Sequence, residues 1–64
     1  MRNYALAAAE ALERAQRLNR DVEQAARVGA IVNAIQLQRD VQREMRAARW
    51  LLLLADDLER RGRS

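Results

Sequence analysis

The residues of this chain with the types to do chemistry concentrate in one stretch. Arg39, Arg43 and Arg46 recur at steps of four and three, and Trp50 follows Arg46 by four more. On a helix that spacing draws one stripe, with the Arg46 guanidinium within reach of the Trp50 indole. Such a stripe suits nucleic acid, with arginines on phosphates and the indole as a stacking surface. It equally suits a docking site for another protein, since Trp and Arg are favoured anchors at interfaces. A third reading buries Trp50 and its leucine neighbours against another helix of the same assembly, the arginines covering the edge with their aliphatic stems. Asp40 and Glu44 dilute the positive charge, and one tryptophan is thin for stacking, so nucleic acid is the least favoured of the three.

Catalytic chemistry has little to start from. Histidine and cysteine are absent, which removes the commonest general base, the thiolate nucleophile and the usual transition-metal ligands. The carboxylate pairs Glu10/Glu13 and Asp40/Glu44 are spaced like helix-surface charges, without the oxygen-rich loop that a hard cation needs. We expect no enzymatic activity, no metal site and no cofactor.

All 12 basic residues are arginine and stand against nine acids, for a net charge of +3. Five acids precede an arginine by four residues: Glu10/Arg14, Glu13/Arg17, Glu23/Arg27, Asp56/Arg60 and Asp57/Arg61. That is the favourable order for helix-surface pairs, so most of the charge belongs to solvated helix faces.

The elements that position these residues are helical. Proline and threonine are absent, only two glycines occur, and Ala, Leu, Arg, Glu and Gln dominate. Apolar residues alternate at steps of four and three through Tyr4, Ala8, Ala11, Ala15, Leu18, Val22, Ala25, Gly29 and Val32, the seam of a helix packed in coiled-coil fashion. Continuing the steps meets Gln36 and Arg39, so the phase breaks mid-chain. Gly29 suits the left-handed residue that ends a helix. Asn33 can cap a second one, with Gln36 completing a capping box and Val32 stapled to Leu37.

The pattern predicts one helical domain over residues 1–64, all-α, built as a hairpin of two long antiparallel helices. They run from about 3 to 28 and from about 34 to 61, with the turn at about 29–33. The second seam reads Val41, Met45, Ala48, Leu52 and Ala55, with Leu51 flanking it. The alternative is a three-helix bundle, in which Asp21 with Gln24 forms a capping box and Asn19 ends a helix. In an unbroken first helix Asn19 would instead lie on the inner face, between Ala15 and Val22.

The run "RWLLLLADD" at residues 49–57 goes right round a helix. With Leu52 inward, Trp50, Leu53 and Leu54 point to the back, alongside Arg39, Arg43 and Arg46. The expected partner or oligomer interface therefore comprises Val41, Met45, Trp50, Leu51, Leu52, Leu53, Leu54 and Leu58. The longest uninterrupted apolar stretch, Trp50 to Ala55, is far below the ~18 residues of a membrane span. Glu10 interrupts the N-terminal "YALAAA" before it reaches signal-peptide length. For a natural chain those two observations give a cytoplasmic expectation.

At 64 residues a lone chain hides only ~60% of the surface its unfolded form exposes. An alanine-rich first seam buries little area per residue, and the second helix carries the large side chains that could face it. The reading that satisfies both is self-association into a four-helix or larger bundle, a dimer favoured. In length, mid-chain turn and mixed Ala/Leu layering the chain resembles Rop-like plasmid-encoded regulators, helical hairpins that dimerise and bind paired RNA loops. The likeness is one of architecture without motif, and this chain has no phenylalanine for the exposed aromatic-basic face of that family. It also resembles de novo designed helical bundles, in its few residue types, strings such as "ALAAAEALERA" and ordered acid-to-arginine pairs. Ala25, Gly29 and Ile35 match the spacing of a helix-turn-helix unit. Gln24, Val32 and Gln38 depart from that pattern.

Overall fold

The computed structural model describes residues 3–63; residues 1, 2 and 64 of the expected domain lie outside it. Two helices, α1 (Tyr4–Arg27) and α2 (Ile31–Arg63), pack against each other as a hairpin, and no strand occurs among the described residues. The molecule measures 54 × 14 × 13 Å, so its length is essentially that of the 33-residue α2 at about 1.5 Å per residue.

α1 starts where Asn3 accepts a hydrogen bond from the Leu6 N–H on its side-chain Oδ1, at 3.0 Å, satisfying one of the free donors of the first turn. The helix runs unbroken through Asn19 and Asp21, and α2 runs unbroken through Asp40. The three-helix alternative is therefore excluded. Near-antiparallel packing also differs from the ~90–120° helix pair of a helix-turn-helix unit.

The turn is shorter than the sequence suggests. Gly29 has φ +77, the left-handed conformation that glycine adopts without a Cβ penalty. The Ala30 N–H reaches back to the Ala25 carbonyl at 2.8 Å, and the Gly29 N–H bonds the Ala26 carbonyl at 3.2 Å. These are the two bonds of a Schellman motif. The chain has already reversed at Ala30, whose carbonyl accepts from the Ala34 N–H at 3.0 Å and so opens α2. Asn33, the expected cap, instead lies in the first turn of the second helix, and the N-cap position holds an alanine.

The first seam emerges as read from Tyr4 to Ala25, but not beyond: Gly29 lies in the turn and Val32 is 69% exposed on α2. Ala8, Ala11, Ala15 and Ala25 are buried, with Tyr4, Leu18 and Val22 half-buried between them. On α2 the inward residues are Ala34, Leu37, Val41, Glu44, Ala48, Leu51 and Ala55. The Arg14–Glu44 contact, and the groove that brings Ala15 together with Val41 and Leu12 with Ala48, set the two seams in antiparallel register. Residues beyond Ala55 overhang the start of α1 by about 12 Å.

This register corrects the expected second seam. Val41 and Ala48 are buried and Ala55 half-buried, but Met45 and Leu52 are 47% and 49% exposed, and Glu44 and Leu51 occupy the inward slots. Both phases share Val41, Ala48 and Ala55, and they differ by one residue at the two remaining steps. In its slot the Glu44 carboxylate accepts from Arg14 Nε on α1 at 3.2 Å. Arg14 thus pairs across the hairpin with Glu44, whereas the sequence suggested Glu10. The pairs Asp56–Arg60 and Asp57–Arg61 form along α2 at 3.1 and 3.0 Å.

Candidate interaction surfaces

The core that these seams enclose is small. Its buried members are Ala8, Ala11, Ala15, Ala25, Val41 and Ala48, and no large side chain is fully buried among the described residues. An alanine methyl contributes about 0.8 kcal/mol on burial, against about 1.5–3 kcal/mol for a large aliphatic side chain. The large side chains of the seams are mostly half-buried, and apart from Leu6 the exposed large apolar residues form two groups. One lies at the turn end, with Val28, Ile31, Val32 and Ile35; the other spans Met45 to Leu58.

Three surfaces follow from the orientation of α2. On one flank the two helices leave an open groove. Its apolar part is lined by Leu12, Met45, Ala48, Leu52 and Leu53, with Arg49 at the rim. Toward the turn the lining changes to amides: Gln16 and Asn19 from α1, Gln38 and Gln42 from α2, above the floor of Ala15 and Val41. Asn19 is thus exposed along this groove rather than held on the inner face. On the opposite flank the Arg14–Glu44 pair spans the helices.

The back of α2 carries the arginine stripe. Arg39, Arg43 and Arg46 line a shallow depression with Gln38 and Gln42. Arg46 and Arg49 line the next one with Trp50 and Leu53. Trp50 is 67% exposed, the most open of the expected interface residues. Of the others, Val41 belongs to the hairpin core and Leu51 is half-buried in the seam. Leu54 and Leu58 are exposed and line neither part of the groove.

The amide half of the groove was missed in the sequence, because Gln and Asn at helical spacing look like ordinary solvated positions. A signal was present: Leu12 and Asn19 are seven residues apart, as are Gln38, Met45 and Leu52, so each helix brings a second heptad-spaced column to the same flank.

No group of three or more carboxylates that could hold a metal ion occurs among the described residues. No helix among them is long and apolar enough to cross a membrane. No known family model, characterised protein or solved structure matches the chain.

Proposed function

We propose that the protein is a structural self-assembly module, a helical hairpin that completes its core by packing against a second copy of itself as a four-helix bundle, without catalytic activity. The observation that carries this reading is the mismatch between mass and surface. The hairpin exposes 5446 Å², where a compact chain of 7.4 kDa exposes about 4,200 Å². The excess of about 1,200 Å² exceeds the roughly 800 Å² that each partner contributes to a standard stable interface. Large apolar side chains account for much of what is open, Met45, Leu52 and Leu53 among them. The restricted residue set fits a designed assembly as well as a natural one.

The test is the mass in solution by light scattering coupled to size exclusion. A dimer near twice 7.4 kDa is expected, with a melting temperature that rises with protein concentration, since dissociation accompanies unfolding. A monodisperse monomer across the micromolar range sinks the reading.

A second reading rests on the exposed Trp50, which lines one shallow depression with Arg46 and Arg49. There an outside partner, an acidic protein surface or RNA, would meet cations beside an aromatic side chain. Titration with generic RNA at several salt concentrations separates the two: binding that weakens steeply as salt rises supports RNA, and none at low salt removes it.

A further inference from the structure

We infer that the second copy docks on the groove flank between α1 and α2, with both turns at the same end of the bundle. This rests on the self-assembly reading and adds to it the face and the direction of packing.

The argument begins with what can meet its own copy. The arginine stripe on the back of α2 cannot, because a two-fold axis there would bring Arg39, Arg43 and Arg46 toward their equivalents, and like charges repel. On the opposite flank, the Arg14–Glu44 pair places two charges where an interface would have to desolvate them. The groove flank is different. Its floor and apolar part are Ala, Val, Leu and Met, its polar part is four amides, and its one charged lining residue is Arg49 at the rim, where the side chain can stay in water. Each amide carries both donor and acceptor, so an amide layer can satisfy itself against an identical layer.

Direction follows from the order of layers along the groove. Leu12 and Met45 line the groove together, and one heptad toward the turn so do Asn19 and Gln38. The same columns continue to Ala5 with Leu52 at one end and Ala26 with Ile31 at the other. Three layers are apolar and one is amide. A two-fold axis along the bundle sets every layer against its own equivalent. Leu12 then faces the partner's Met45, Asn19 faces the partner's Gln38, and small Ala5 and Ala26 face the partner's Leu52 and Ile31. Each α1 also lies beside the partner's α2, so all neighbouring helices are antiparallel and their dipoles oppose favourably. Full overlap with turns at opposite ends instead sets the amide layer against the partner's Leu12 and Met45, leaving amides facing apolar carbon.

The test uses the full chain, which has no cysteine, so one introduced thiol gives a unique label. Spin labels on Arg27→Cys, beside the turn, should lie about 25 Å apart or less across the bundle, given interaxial distances of ~8–10 Å. Turns at opposite ends would place them roughly 35 Å apart or more, the length of α1, and would overturn the direction. For the face, Met45→Glu should convert the dimer to a monomer while Trp50→Glu leaves it dimeric. The reverse pattern overturns the groove and leaves self-assembly standing. A monomeric parent chain removes the self-assembly reading itself. Met45 is half exposed in the single hairpin, and circular dichroism checks that its variant stays helical. The label distance is independent of that variant.

Discussion

Arg14 and Glu44, thirty residues apart in the chain, meet across the hairpin with Nε and Oε2 at 3.2 Å. The contact lies on the side of α2 that faces α1, and it places a carboxylate in a slot whose neighbours along the seam are Val41 and Ala48. The side chains remain 47% and 25% exposed, and such pairs contribute on the order of 0–1 kcal/mol. Glu44→Leu should therefore stabilise the fold by about 1 kcal/mol, because added apolar burial outweighs the lost pair. Urea unfolding at fixed protein concentration measures it. A loss of similar size would mean that the pair sets the register more strongly than its exposure implies.

Gly29 should tolerate no side chain without cost. A Cβ there meets nothing within 4 Å, so the penalty is purely conformational, from φ +77. Gly29→Ala should destabilise by about 1–2 kcal/mol, seen as a lower urea midpoint with unchanged slope. Unchanged stability would show that the turn relaxes to another conformation.

Ala30 opens α2 with a methyl group where a side-chain acceptor would normally sit. Ala30→Asp should stabilise the protein by about 0.5–2 kcal/mol through a bond to the free N–H groups of the first turn and through the helix dipole. Thermal unfolding monitored at the helical circular dichroism band gives the answer, and a lowered midpoint would contradict Ala30 as the cap.

Trp50 is the single tryptophan and reports its own surroundings. With the second copy on the groove flank, its emission should stay at the wavelength of a hydrated indole and be freely quenched by acrylamide, unchanged on dilution through dissociation. A blue shift that appears on assembly would move the interface to the back of α2.

The sequence by itself determined that the chain is helical, that it reverses near Gly29 and that α1 buries an alanine seam. Those features depend on local propensity, on one residue able to adopt positive φ, and on a periodicity with no competitor over twenty residues. It did not determine the face of α2. There two seams one residue apart share Val41, Ala48 and Ala55, and apolar counting favoured Met45 and Leu52 over Glu44 and Leu51. Only the tertiary structure decided between them, because the choice depends on what α1 presents across the seam, Arg14 beside Glu44 included. The start of α2 was misplaced for a related reason. Asn33 has the better capping side chain, but the Schellman bonds at Ala30 and Gly29 complete the reversal three residues earlier. The groove that results, with leucines and methionine at one end and amides at the other, is a property of two helices in one register, visible in neither helix alone.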